Sequence, residues 1–205
     1  MKVPLRYQIS EYDCGPTSLL NALSFLFERE DLSPELVRNI MLYSLDSYGT
    51  DGAPGKNGTS HAAMMFLSNW LDGFGKTGQL DIQSVYLTGK EVNWKQDGRL
   101  RSALCRGGCA VVRVVLDGWH YVLVTDADNE NILLFDPYLI PEPFPMEDVR
   151  IIRGQYAYNR IVPVQLFESE ELHSYSFGPV DTREAMLLFN KGTVLTEENT
   201  VDYFI

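Results

Sequence analysis

The sequence predicts an α+β domain, with helices first and an antiparallel sheet after them. Three observations carry this. Apolar residues recur at helical spacing over 14–28 and again over 60–72. From 110 to 136 the pattern changes to short β-rich runs separated by turn residues. The 205 residues are 45% hydrophobic and 22% charged, with 16 Gly and 10 Pro, as in an ordinary globular chain. Collagen-like, low-complexity and disordered classes are thereby excluded, and a chain of this length buries a core without metal or disulfide staples.

In the first helix, 14–28, Leu19, Leu20, Leu23, Leu26 and Phe27 share one face. A second helix starts with Ser33 as N-cap and Pro34 at its first position and runs to about Tyr43. Residues 46–58 carry four Gly and one Pro and form a loop. A third helix, about 60–72, points Ala63, Phe66, Leu67, Trp70 and Leu71 inward. Residues 80–87 read as a strand and 92–105 as a helix.

The runs 110–116 and 119–125 flank Asp117-Gly118, a hairpin turn signal. After the polar loop at 126–130 comes a third strand, 131–135. Pro141, Pro143 and Pro145 break regular structure, and 160–167 is read as an outer strand because Pro163 suits an edge. The division is a domain over 1–167, with 46–58 as a glycine-rich insertion, and an acidic extension over 168–205 on or beside it. That extension holds eight acids and two bases, a net of −6 out of −11 for the chain.

A net charge of −11 argues against nucleic acid or an anionic membrane as partner, since both want a basic face. No apolar run approaches the ~18 residues that cross a bilayer. The opening residues do not form a signal peptide. Three cysteines make no disulfide framework. The expectation is a cytoplasmic protein. Cys105 and Cys109 have no nearby His, so no zinc site is expected. Gly75-Lys76-Thr77 lacks the first glycine of a phosphate loop, because Trp70 stands there. Asp126, Asp128 and Glu130 lack the Gly and Glu of a calcium loop and are turn residues. No cofactor is expected, His61 and His173 are assigned to the surface, and the oligomeric state is not legible.

Chemistry gathers at Gln8 to Pro16. Asp13 is a good N-cap, which sets Cys14 in the first turn of a helix. There the macrodipole and free backbone N–H groups favour an anion, and the thiolate is the attacking form of cysteine. Gly15 would leave room for a substrate backbone. Such a cysteine needs a cationic partner, or it is a buried small hydrophobe. If the hairpin 119–135 is centred on Asp128, opposed residue numbers sum to 256, which pairs Val124 with Ile132, Val122 with Leu134, and His120 with Asp136. Opposed residues share a face, with Cβ atoms ~4.5–5.5 Å apart. Asp136 would then orient His120 as the third member of a triad.

Gln8 followed by Asp13-Cys14-Gly15-Pro16-Thr17-Ser18-Leu19, with His120-Tyr121-Val122-Leu123-Val124 and Asp136-Pro137 later, resembles the bacteriocin-processing cysteine peptidases. Those enzymes cut leader peptides after a double glycine. Gly58-Thr59 resembles a further segment of the family. The resemblance covers about residues 4–140 and keeps order and spacing. It implies a papain-like fold, a Cys-bearing helix packed on a sheet that carries His and Asp. Carried over by position, Cys14 is the nucleophile, His120 the base and acid, Asp136 the orienter and Gln8 an oxyanion donor. The chain departs from the pattern in its 46–58 loop, its acidic segment and the lack of a following transporter domain. The expected activity is hydrolysis of a peptide or protein substrate. An acyl or amide transferase on the same triad and a non-catalytic peptide-binding module are the alternatives.

Overall fold

A computed structural model describes residues 1–140, 146, 148–154 and 157–195. The prolines 141, 143 and 145 lie outside the described residues. Among the described residues, five helices and seven strands form an α+β domain: α1 Cys14–Leu26, α2 Pro34–Ser44, α3 His61–Lys76, β1 Ile82–Thr88, α4 Arg99–Cys105, β2 Cys109–Val115, β3 Trp119–Ala127, β4 Asn131–Phe135, β5 Arg150–Ile151, β6 Arg160–Pro163, α5 Val164–Phe167 and β7 Glu184–Asn190. The strands make one antiparallel sheet in the order β1-β7-β2-β3-β4-β6-β5.

The sheet's two faces, both apolar, enter two cores. Val111, Tyr121, Leu123 and Met186 pack with Leu19, Leu23, Ile40 and Leu67 of the first three helices. Val112, Val122, Leu134 and Leu187 pack on the other side with Leu100, Phe167, Tyr175 and Phe177. Burial on both faces explains why β2 and β7 read as continuous apolar runs rather than alternating ones.

Several expectations are corrected. The 92–105 helix is α4 alone, because Gly98 is its N-cap and residues 92–98 are a bridge that buries Val92 and Trp94. The outer strand 160–167 is β6 followed by one turn of helix. Pro163 ends the strand and caps that turn, while β5 lies outside β6. The acidic stretch 168–205 does more than flank a finished domain, since β7 stands inside the sheet between β1 and β2. Its charges, dense on either side of 184–190, mask a buried strand in the composition.

The hairpin β3–β4 is in a different register from the one expected. Leu123 faces Phe135 and Val124 faces Leu134, so opposed numbers sum to 258 near the site, not 256. The shift is two residues, and an even shift keeps every side chain on its face. Farther out, Asp126 faces Leu133 and Ala127 faces Ile132, with the irregularity at Thr125 between the two registers. Thr125 Oγ1 donates to Ala157 O at 3.0 Å.

Candidate active site

Helix α1 is docked on β3 by Ser18, whose hydroxyl donates to Tyr121 O at 3.0 Å. Upstream, Asn21 and Arg6 exchange two hydrogen bonds of 2.9 Å, side chain to backbone, and Gln8 N donates to Pro137 O at 2.9 Å. The segment before the helix is thereby held next to the strand end that carries Asp136. Asp13 stands at the N-cap position, but its carboxylate turns back instead of capping the helix. It accepts from Ile9 N at 3.0 Å, Ser10 N at 2.6 Å and Thr17 Oγ1 at 3.3 Å. Burial would raise its pKa, but the bonds from Ser10 and Ile9 outweigh that and hold it below the ordinary range. Asp13 therefore builds the loop that presents Gln8 and Cys14.

Cys14 opens α1 and lines a cleft of about 200 Å³ with Gln8, Glu11, Leu116, Asp117, Trp119, His120 and Tyr138. His120 Nε2 lies 2.7 Å from Asp136 Oδ1, and Cys14 makes a side-chain contact to the same imidazole. With Nε2 engaged by the carboxylate, Nδ1 is the nitrogen left for the thiol. Continuing the observed register past Phe135 sets Asp136 beside Val122, so His120 and Asp136 are diagonal rather than directly opposed. The diagonal still closes a hydrogen bond. Burial would lower the His120 pKa. The charge and hydrogen bond of Asp136, with the Cys14 contact, outweigh it and push the ring up to about 10. Burial likewise acts to raise Asp136, and His120, Tyr175 and the Tyr138 N–H reverse that, leaving it lowered.

The residues that hold Asp136 had no signal in the sequence. Its peptide is clamped by Asn159, which accepts from Asp136 N and donates to Asp136 O, both at 2.8 Å. Tyr138 N donates to Oδ1 at 2.8 Å, and Tyr175 donates its hydroxyl to Oδ2 at 2.6 Å. Arg160, fully buried, donates from Nε to the Tyr175 oxygen at 3.1 Å and from Nη1 to Asn159 O at 3.0 Å. Asn159, Arg160 and Tyr175 come from segments distant in sequence, so no local pattern announces them.

Gln8 Nε2 spends one hydrogen on Ser10 O at 2.7 Å, leaving one for the cleft, and its Oε1 is buried without a partner among the described residues. Gly15 does not make room for a substrate backbone. A Cβ there would lie 2.3 Å from Thr59 Oγ1, so the missing side chain admits Thr59 against the helix start. That contact is the structural role of Gly58-Thr59.

A second buried group supports the cleft wall. Glu184 accepts from the Tyr86 and Tyr121 hydroxyls and pairs with Arg113 Nε at 3.2 Å. Arg113 in turn lies under the Trp119 ring, 4.3 Å from its centroid. Burial first, then Glu184, pushes both tyrosines far up. His61 is exposed, as expected, but it is tied to Glu184 at 2.8 Å, and exposed His173 meets Glu171 at 2.8 Å. Among the described residues no group of His, Cys, Asp and Glu is arranged to hold a metal, and no helix is long and apolar enough to cross a membrane. The described fold and site define an α+β protein with a thiol, an imidazole and a carboxylate in series at one end of its sheet. No protein-family model matches the chain, and no curated protein matches it.

Proposed function

We propose that the chain is a cysteine peptidase of papain-like architecture, akin to the double-glycine leader peptidases, acting on a peptide or protein without a cofactor. One observation carries the reading: the His120 imidazole is held by Asp136 at 2.7 Å in the same cleft that Cys14 lines. Cys14 Sγ attacks the scissile carbonyl carbon with its proton already resting on His120. The tetrahedral oxyanion accepts from Cys14 N–H at the start of α1 and from the second hydrogen of Gln8 Nε2. Collapse breaks the C–N bond as His120 gives its proton to the departing amine, leaving a thioester on Cys14. Water, deprotonated by the neutral ring, then releases the acid and the thiol. Asp136 fixes the ring tautomer and carries the countercharge throughout.

The test is a randomised peptide mixture incubated with the protein, new termini being read by mass spectrometry. The expected result is a restricted set of cleavages that disappears in Cys14→Ala. Cleavage that survives in Cys14→Ala, or no cleavage by the native protein, would overturn the proposal.

A further inference from the structure

The cleft does not end at the triad. A second cavity of about 490 Å³, lined by Val115, Asp117, Gly118, Trp119, Leu172 and Ser174, shares Asp117 and Trp119 with it. Two large apolar side chains there are open to solvent, Trp119 at 44% and Leu172 at 68%. The indole is fixed in place. Arg113 covers one of its faces, 4.3 Å from the centroid. Gly178, at φ 69, lets Trp119 and Leu172 close together, since a Cβ there would lie 3.1 Å from Trp119 Cη2 and 3.5 Å from Leu172 Cδ2. A rigid apolar wall loses little freedom on binding.

The position of this cavity says which part of a substrate reaches it. Its walls are the β2–β3 hairpin and residues 172–174, and neither Gln8 nor Cys14 contributes. In acyl transfer the oxyanion donors face the acyl half, whereas the acid that protonates the departing amine faces the leaving half. The cavity meets the catalytic cleft at Asp117 and Trp119, on the wall that His120 also lines and away from Gln8 and Cys14, so it adjoins the leaving-group side. An extended peptide advances ~3.3 Å per residue, which brings the first or second residue after the scissile bond to the indole.

We propose that Trp119, Leu172 and Ser174 form a specificity pocket for a bulky apolar side chain on the amine side of the scissile bond, a proposal that rests on the cysteine peptidase reading. By microscopic reversibility the same pocket selects the amine that captures the acyl-enzyme. Such an amine attacks the Cys14 thioester carbonyl, forms an amide bond and expels the Cys14 sulfur, which takes up the proton the amine loses through His120.

The experiment uses the full chain with acetyl-Gly-Gly methyl ester, a small acyl donor that demands little of the acyl side. Acyl-Cys14 is detected by its mass, with methanol as the leaving group. Leucinamide, phenylalaninamide, glycinamide or aspartic acid diamide is then added, and amide and acid products are counted. Leucinamide and phenylalaninamide should capture the acyl group about tenfold or more better than glycinamide. Leu172→Asp, at an exposed position, should erase that preference, and Trp119→Ala should weaken it. Equal capture of all four amines, or an unaltered preference in Leu172→Asp, would overturn the pocket while leaving the nucleophile assignment standing. Failure to form acyl-Cys14 at all would overturn the peptidase reading and the pocket with it.

Discussion

Tyr175 holds Asp136 from the side opposite His120: its hydroxyl donates to Oδ2 at 2.6 Å while its own backbone sits at φ 65. A bulky residue in the left-handed region is strained. Tyr175 is completely buried, and its N–H donates to Val115 O at 2.6 Å, so the surrounding structure enforces the conformation. Tyr175→Phe keeps the ring and removes the donor. The variant should lose about 1–3 kcal/mol of stability, since Oδ2 stays buried with one bond fewer. Because the hydroxyl holds the Asp136 pKa down, its loss should move the acid limb of the activity profile to higher pH. A profile with an unmoved acid limb would make Tyr175 a packing residue only.

The dependence of stability on pH follows from the same pair. His120 is raised from 6.5 to about 10, so its contribution is fully present below pH 6.5 and is lost as pH rises through about 10. Asp136 is lowered from 3.8, so its contribution is present above that pH and is lost as pH falls through its folded value. Urea midpoints should therefore show the pair at full strength between about pH 4 and 6.5. The measurement is the difference between native protein and His120→Gln across pH 3 to 10. A difference that grows above pH 7 has the wrong sign and refutes the account.

Alkylation distinguishes the three thiols. Cys109 is buried, and burial pushes its thiol far up; Cys105 is exposed and touches no imidazole in any described contact. Only Cys14 lies beside His120. With limiting iodoacetamide at pH 6–7, where an ordinary thiol of pKa ~8.5 is mostly protonated, Cys14 should label first. Equal labelling of Cys14 and Cys105 would sink the nucleophile assignment.

Gln8 and His120 should fail differently. Loss of an oxyanion donor costs about 100–1000-fold in turnover, but it leaves the thiol and imidazole in contact. Gln8→Ala is thus expected to keep rapid Cys14 alkylation and lose most cleavage, with KM little changed. His120→Ala should lose both. Parallel alkylation and turnover measurements decide the point, and wild-type cleavage by Gln8→Ala would reduce Gln8 to a turn residue.

The legible parts of the molecule were those written in local pattern. Helical spacing marked α1 and α3, Ser33-Pro34 the start of α2, and β-rich runs between turn residues β2, β3 and β4. Cys14, His120 and Asp136 are legible because each lies at an element end, Gln8 only through the resemblance, and all four gather in one region. The supports of Asp136 were not legible. Asn159 and Tyr175 stand 23 and 39 residues from it, and nothing local marks a residue whose partner is chosen by the sheet. β7 was hidden for a related reason: its charged end, Glu184, is neutralised by Arg113, Tyr86 and Tyr121 from three other strands.

Thr125 decides which face of the sheet Asp136 shares. On its far side opposed residues sum to an odd number, as in Ala127 with Ile132, and on its near side to an even one, as in Val124 with Leu134. If Thr125 paired regularly instead of bulging, the odd count would run to the end of the hairpin. Asp136 would then share a face with Tyr121 and Leu123, toward the helices, and His120 would lose its carboxylate. A bulge five residues from the imidazole thus acts as a parity switch. A one-residue insertion in the strand between His120 and Thr125 would put His120 and Asp136 on opposite faces, whereas loss of Thr125 alone would remove the bulge and leave Val124 opposite Leu134.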